Sequence, residues 1–196
     1  MSDAQFDPRA AADAAWTTQR KPNGAAFKLT SAADLVAREF KEPKWAVPAI
    51  VAEGLTILAG KPKTGKSWAA LDFAVAVAGG YNALGNIECE QGDVLLLALE
   101  DNDRRLHQRL KAVLQGQPAP AALHIATQWH RADDGGLDDL QAWLSDHPKA
   151  RLVLIDTLQM IRSQRNKTDG VYADDYQAVG RLKALADKAN VPFVVV

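Results

Sequence analysis

A chain of 196 residues is long enough for one domain with a substantial core, and hardly for two. Its 23 basic and 24 acidic residues give a formal net charge of −1, so no global field indicates a nucleic acid or a membrane surface as partner. The single cysteine excludes a disulfide framework and cysteine-based metal sites, and it favours a reducing compartment. Because no apolar run reaches the length of a membrane span, we expect a soluble, cytoplasmic protein with no membrane contact.

The first part of the chain shows no sustained hydrophobic period. Residues 1–28 are rich in Ala, Asp, Gln, Arg, Pro and Asn, and we interpret them as a disordered N-terminal arm. A helix is predicted to begin at Ser31, with an acidic residue in its first turn, and to end before Pro43. The domain proper is therefore expected to cover residues 29–196.

Residues 60–67 read GKPKTGKS and match the phosphate-binding pattern G-x-x-x-x-G-K-[ST] at every fixed position. Such a loop must follow a buried strand and open a helix. The short apolar run at 55–59, set between two glycines, predicts that strand. The run at 68–78 contains no helix breaker and stops at two glycines, which predicts the helix. The sequence context thus agrees with the motif.

Each fixed residue of this loop has a separate chemical role. Gly60 and Gly65 permit the tight turn and leave room for phosphates at the backbone amides between them. Lys66 reaches the β- and γ-phosphates with a positive charge, and Ser67 offers a hydroxyl to Mg²⁺. We therefore predict that ATP and Mg²⁺ bind here, with these nucleotide-contacting residues: Gly60, Lys61, Pro62, Lys63, Thr64, Gly65, Lys66, Ser67 and Trp68.

Strands and helices alternate along the remainder of the chain. Strands are predicted at 87–90, 93–99, 123–127, 152–155 and 191–196, with helices at 102–114, 137–144 and 176–186 and a loop at 162–172. The run at 94–99 is continuously apolar, which is typical of a strand covered on both faces, and the run at 123–127 is a weaker strand. We predict an α/β fold with a mostly parallel sheet flanked by helices on both faces.

Two acidic residues follow predicted strands at the edge where such sheets bind ligands. Asp156 ends the run at 152–155 and has the position of an acid that holds Mg²⁺, although an Asp there is often only a turn former or a helix cap. Glu100 ends the run at 93–99 and could orient and deprotonate an attacking water. It could equally cap the next helix together with Asp101, which is the better cap by position. Spacing alone leaves both possibilities open.

Several basic residues follow these acids. Arg109, on the helix after Glu100, could face the nucleotide or a neighbouring subunit, whereas Arg104 and Arg105 have the usual pattern of solvated helix charges. A small basic patch in the predicted loop could contact nucleic-acid phosphates or simply be solvated; it consists of Arg162, Arg165 and Lys167.

Four stretches between Trp45 and Val196 resemble a known family: WAVPAIVAEGLTILAGKPKTGKSWAALDFAVAVAGG, DVLLLALEDNDRRLHQRL, RLVLIDTLQMIRS and DDYQAVGRLKALADKANVPFVVV. They are similar to the RecA-like ATPases of the RepA type, AAA-family proteins related to plasmid replicative helicases. The segments containing LALED and IDTL are more specific to this family than the phosphate-binding loop alone.

The resemblance implies an ATP-hydrolysing RecA-like core, commonly assembled as a homo-oligomeric ring such as a hexamer, with sites between subunits. It implies that Glu100 is the catalytic carboxylate and that Arg109 is the arginine that accompanies it. Asp156 and Ser67 are then the residues that serve Mg²⁺, and Lys66 contributes catalytic charge on the phosphates.

By the same resemblance, we expect a helicase or DNA-processing motor of a mobile element, acting on single-stranded, plasmid or phage DNA. Family members continue beyond the last strand into a histidine-containing segment and an intersubunit arginine, so we expect the domain to be incomplete at its C-terminus. Two alternatives remain open: a non-hydrolysing ATP-binding regulator and a P-loop kinase. A kinase predicts an arginine-rich lid, but residues 131–150 carry only Arg131 and Lys149 as cations.

Overall fold

The computed structural model describes residues 29–162 and 171–196. The chain divides into two compact units, Met1–Lys41 and Glu42–Val196. The strands are β1 Trp45–Val47, β2 Val51–Ala52, β3 Leu55–Ile57, β4 Asn82–Ala83, β5 Ile87–Glu88, β6 Asp93–Ala98, β7 Leu123–Ala126, β8 Ala150–Asp156 and β9 Phe193–Val195. The helices are α1 Ala32–Val36, α2 Lys66–Gly79, α3 Asp103–Leu114, α4 Gly136–Asp146, α5 Leu158–Ile161 and α6 Val171–Ala189. No helix in the described ranges is long and apolar enough to cross a bilayer.

The described part of the first unit is a single short helix. The Ser31 hydroxyl accepts a hydrogen bond from the backbone N–H of Asp34 at 3.0 Å, so the predicted helix start is confirmed. The helix ends at Val36, well before Pro43. The predicted arm at residues 1–28 lies outside the described residues and stays a prediction.

The second unit is built on a five-stranded sheet in the order β3-β9-β8-β6-β7. Every neighbouring pair in this sheet is parallel, which confirms the predicted fold class. The last strand, β9, lies inside the sheet and pairs with both β3 and β8, so the sheet edges are β3 and β7. Parallel pairing makes every strand leave the sheet at the same edge, which places three predicted site segments together.

Apolar side chains cover both faces of this sheet. On one face, Val94, Leu96 and Leu154 pack against α2, which is buried along most of its length. On the other face, side chains that alternate with these, including Leu97 and Ile155, pack against α4 and α6. Because both faces are buried, the strands read as continuous apolar runs, as the sequence indicated.

Two small antiparallel hairpins differ from the sequence prediction. The strand predicted at 87–90 is present as β5, but it ends at Glu88 and pairs with β4 in a separate hairpin. Leu84 and Gly85 form its turn with φ values of +48° and +84°. A tight hairpin turn requires left-handed backbone at two successive residues. In the sequence, only Gly85 indicated such a turn. The second hairpin, β1–β2, lies in the apolar segment before the loop, where no strand pairing was predicted.

Two glycines provide a matched test of this packing. A Cβ at Gly136, the first residue of α4, would overlap the carbonyl oxygens of His130 and Arg131. A Cβ at Gly180, inside α6, would meet nothing within 4 Å. Gly136→Ala should therefore lower the free energy of unfolding by about 1–3 kcal/mol through overpacking. Gly180→Ala should raise it by about 0.5–1 kcal/mol, since alanine favours helix. Urea unfolding followed by circular dichroism measures both; equal effects at the two positions would contradict the described packing.

Candidate nucleotide-binding site

Three chain segments meet at the carboxyl edge of the sheet. The residue 60–67 loop follows β3, Glu100 follows β6, and Thr157 follows β8. The backbone N–H of Leu99 donates to the carbonyl of Asp156 at 2.7 Å, which ties the ends of the two central strands together. Glu100 and Asp156 are therefore held at the ends of the buried strands β6 and β8. The prediction that the loop follows a buried strand was wrong, because β3 is an edge strand with Ile57 57% exposed.

The loop turns directly into α2. Gly65 is the N-cap residue of this helix and has a φ of +93°, a conformation that residues with a Cβ rarely adopt. The Thr64 hydroxyl donates to the carbonyl of Lys61 at 2.9 Å and closes the turn from within. No side chain caps the helix, so no capping group occupies this helix end, where an anion can bind.

The ammonium group of Lys66 lies across this loop. Its Nζ donates to the carbonyl of Gly60 at 2.9 Å and to that of Lys61 at 3.1 Å. These bonds place a positive charge over the loop, next to the open first turn of α2. The charge and the backbone dipoles thus favour the same ligand, a phosphate chain.

Ser67 and Asp156 come together beneath the loop. Asp156 is buried, with an exposed fraction of 7%. Burial raises the pKa of its carboxyl, hydrogen bonding with the Ser67 side chain lowers it, and the nearby Glu100 charge raises it again. Its Oδ1 atom is buried and has no hydrogen-bond partner.

These features fit a magnesium site. A buried carboxylate oxygen with no partner, beside a serine hydroxyl, supplies two of the oxygen ligands that Mg²⁺ prefers. Within the described ranges, no three His, Cys, Asp or Glu side chains cluster closely enough to hold a metal ion by themselves. A Mg²⁺ ion here would thus rely on nucleotide phosphates and water for its other ligands, as is usual for this ion.

Glu100 is exposed at the tip of β6, and its carboxylate lies next to β8. The Thr157 hydroxyl donates to Glu100 Oε1 at 3.3 Å. Sequence reasoning did not identify Thr157, because its contact with Glu100 exists only once β6 and β8 are paired. The carboxylate is thereby oriented along the same edge as Asp156 and the loop.

Asp101 does not cap α3, so that interpretation was wrong. Asn102 is the N-cap residue, and its side chain accepts from the backbone N–H of Arg105 at 2.9 Å. The Asp101 side chain is only 5% exposed and forms ion pairs with Arg105 and Arg109. In the sequence, Asp101 comes directly before Asn102, which is itself a favourable N-cap residue, and this order indicates that Asn102 and not Asp101 caps the helix.

Arg109 points toward the loop helix. The Arg109 side chain is 14% exposed, and its guanidinium carbon Cζ lies 4.8 Å from the ring centroid of Trp68, the residue after Ser67. This distance is typical of a cation–π contact. By contrast, Arg105 is 55% exposed and stays at the protein surface, although it pairs with Asp101. The basic patch is described only at Arg162, since its other two members lie outside the described residues.

One well-formed cavity lies elsewhere. It has a volume of about 300 Å³ and lies between α4 and α6, lined by residues such as Leu144, His147 and Leu185. It contains none of the predicted site residues and is near the amino ends of β8 and β9, which is the opposite edge of the sheet from the loop. The carboxyl edge, where the loop, Ser67 and Asp156 converge, is therefore the better candidate site.

Comparison with a solved structure supports the topology. The chain is similar to a DnaB-like replicative helicase, whose structure was described with its interactions with primase, with a TM-score of 0.51 and 17% sequence identity. The match covers 73% of this chain and 38% of that chain, so this chain spans well under half of the helicase. The shared fold is a RecA-like P-loop core.

A family model described as an AAA domain matches residues 21–196, which includes the loop, Glu100, Arg109 and Asp156. The match extends over most of the sequence and over every segment that meets at the carboxyl edge. The chain therefore belongs to the AAA domain family.

Proposed function

We propose that this protein binds ATP with Mg²⁺ and hydrolyses the bond between the β- and γ-phosphates. The observation that carries the proposal is the position of Asp156. Its buried, partnerless carboxylate oxygen lies beside Ser67, beneath a loop whose lysine and helix end favour phosphate. A buried acid is unfavourable for folding unless it has a partner, and a nucleotide-bound cation is the partner that this surrounding suits.

The other residues fit a hydrolytic step. Lys66 and the amides of the loop would hold the phosphates and stabilise the charge that develops on them. When bound, Mg²⁺ would neutralise phosphate oxygens, with Ser67 and Asp156 as its protein ligands. Glu100 would orient a water molecule and accept its proton as the water oxygen bonds to the γ-phosphorus. The bond from that phosphorus to the β–γ bridging oxygen then breaks, which leaves ADP and inorganic phosphate.

We further propose a role in DNA transactions of a mobile element, as a RepA-type helicase or related motor on single-stranded or plasmid DNA. The sequence resemblance to RepA-type ATPases supports this role, and so does the likeness in fold to a DnaB-like replicative helicase. Assembly into a homo-oligomeric ring is part of the same proposal. Arg109 would then act on the nucleotide from within its own subunit, because it packs against its own loop helix.

Two other functions use the same loop. A regulator would bind ATP without turnover, and its residues would look the same. A kinase needs cations on a lid that closes over the acceptor, but the Arg131 guanidinium donates to the carbonyl of Arg162 and Lys149 lies at the opposite edge of the sheet. The positions of Arg131 and Lys149 therefore favour ATP hydrolysis over phosphate transfer to an acceptor.

Lys66→Ala should weaken Mg·ATP binding by about 10–100-fold, because it removes a charge-assisted contact with the phosphates. Isothermal titration calorimetry with a non-hydrolysable ATP analogue measures this change. Lys149→Ala, which removes a cation from the opposite edge of the sheet, is the matched control and should bind normally. Equal affinity in the two variants would be incompatible with the assignment of the loop.

Glu100→Gln should bind Mg·ATP normally and lower kcat for phosphate release by about 100-fold to 10,000-fold, since glutamine cannot accept the proton of water. Steady-state phosphate release with and without single-stranded DNA is the measurement, and DNA should stimulate the wild type. Turnover that persists in Glu100→Gln would remove the proposed base. Tight ATP binding without phosphate release in the wild type would favour the regulator.

Asp156→Asn should have opposite effects on stability and on function. The carboxyl pKa is raised in the folded state, so its contribution to stability is greatest at low pH and is lost as pH rises through the folded value. At neutral pH without nucleotide, Asp156→Asn should thus raise Tm in a thermal melt. The same variant should lose the Mg²⁺ dependence of ATP binding. A lower Tm of Asp156→Asn at neutral pH would contradict the described burial.

A further inference from the structure

Arg109 is held from two sides. Its NH1 group donates to Asp101 Oδ2, and its guanidinium lies over the indole of Trp68. Asp101 belongs to the segment that leaves β6, directly after Glu100, whereas Trp68 lies in the first turn of α2, directly after Ser67. One arginine thus connects the segment that carries the proposed base with the helix that carries the proposed metal ligand.

This arrangement is costly if its purpose is only stability. Both partners of the ion pair are largely buried, and the desolvation of two charges offsets most of what their attraction contributes. The Nε atom of Arg109 is also buried and has no hydrogen-bond partner. Because this buried ion pair leaves the Arg109 Nε donor unsatisfied, a role in fixing the position of the Arg109 charge explains it better than a role in stability.

The fixed charge lies within electrostatic reach of the proposed metal ligand. Burial is the largest influence that raises the pKa of Asp156, and the carboxylates of Glu100 and Asp101 raise it further. Arg109 lowers it and so opposes the two neighbouring acids. Arg109 thus supplies positive charge beside these acidic side chains, and the contacts with Asp101 and Trp68 hold it there.

We propose that Asp101 is a positioning residue for ATP turnover, which holds the guanidinium of Arg109 over Trp68 and thereby fixes this cation at the first turn of the loop helix. The inference rests on the proposed ATPase function. It assigns Asp101 no contact with nucleotide or water. Asp101 acts through Arg109. Its second partner, Arg105, has a side chain that is 55% exposed and also donates to the backbone carbonyl of Glu100.

Tryptophan emission reports this geometry without requiring turnover. Arg109→Gln removes the cation from the face of Trp68, and it should change the emission of the nucleotide-free protein. Asp101→Asn should produce the same change, because the guanidinium is no longer held. Neither substitution should change the emission in a Trp68→Phe background, where the other tryptophans serve as internal controls. An emission that responds to neither substitution, or to Arg109→Gln alone, overturns the proposal.

Kinetics separate positioning from a merely structural role. Asp101→Asn should lower kcat by on the order of 100-fold, as displacement of a catalytic group does, while KM for ATP stays within about twofold. The double variant Asp101→Asn/Arg109→Gln should lose no more than Arg109→Gln alone, since both changes remove one function. Losses that add in the double variant would show that Asp101 acts by another route.

Arg105→Gln is the matched control, because it removes the other ion-pair partner of the same carboxylate. Because Arg105 also donates to the backbone carbonyl of Glu100, the control is judged on the tryptophan emission. If Arg105→Gln changes that emission as Asp101→Asn does, then Asp101 acts through Arg105 and the proposal is overturned. Far-UV circular dichroism checks that each variant folds. If Asp101→Asn does not fold, the double variant, which lacks the unpaired cation, is compared with Arg109→Gln. Identical emission and kcat support the proposal, and a further loss overturns it.

These outcomes are distinguishable from a failure of the proposed function. If the wild-type chain binds ATP but releases no phosphate, hydrolysis is refuted for this chain. The emission series still decides whether Asp101 holds Arg109 over Trp68, because it is measured without nucleotide.

Discussion

The burial of both faces of the parallel sheet is the constraint on which the rest of the structure depends. The central strands β6 and β8 are apolar at almost every position, so helices must cover each face, and each connection must return across the sheet. All strands then end at one edge. Polar residues that cannot enter the core collect there, and they include the loop after β3, Glu100 and Asp156. The site is thus a consequence of how the core is built.

Charge at this edge is concentrated and only partly balanced. Asp156 is buried near Glu100 and Asp101, while Lys66 and Arg109 supply positive charge from the loop and from α3. A buried, partnerless carboxylate oxygen opposes folding, and so does the unsatisfied Nε of Arg109. Perturbed groups that cluster in this way are typical of functional sites, where stability is given up for binding or catalysis. Asp156, the proposed metal ligand, and Arg109, the cation proposed to be positioned by Asp101, are two such groups at the same edge of the sheet.

Sequence reasoning succeeded where one local pattern determines the structure. The glycines, lysine and serine of the loop, set between an apolar run and a helix, were sufficient to locate the phosphate-binding turn. It predicted a strand at β5 but not the hairpin with β4, because the turn depends on Leu84, a residue that carries little turn signal. It also failed at Asp101. The local signal of Asn102 as a good N-cap residue was overlooked there, and the burial of the Asp101 side chain against Arg109 depends on tertiary packing.

The amino-acid sequence by itself determined the parallel α/β class, the phosphate-binding loop and the acids at the strand ends, since these follow from hydrophobic runs and from fixed motif spacing. Only the tertiary structure decided which of these groups are neighbours. The pairing of β6 with β8 brings Thr157 to Glu100, and the packing of α3 beside α2 places Arg109 over Trp68. Contacts of this kind join residues far apart in the chain, and their distances are set by the core between them, so no local pattern can specify them.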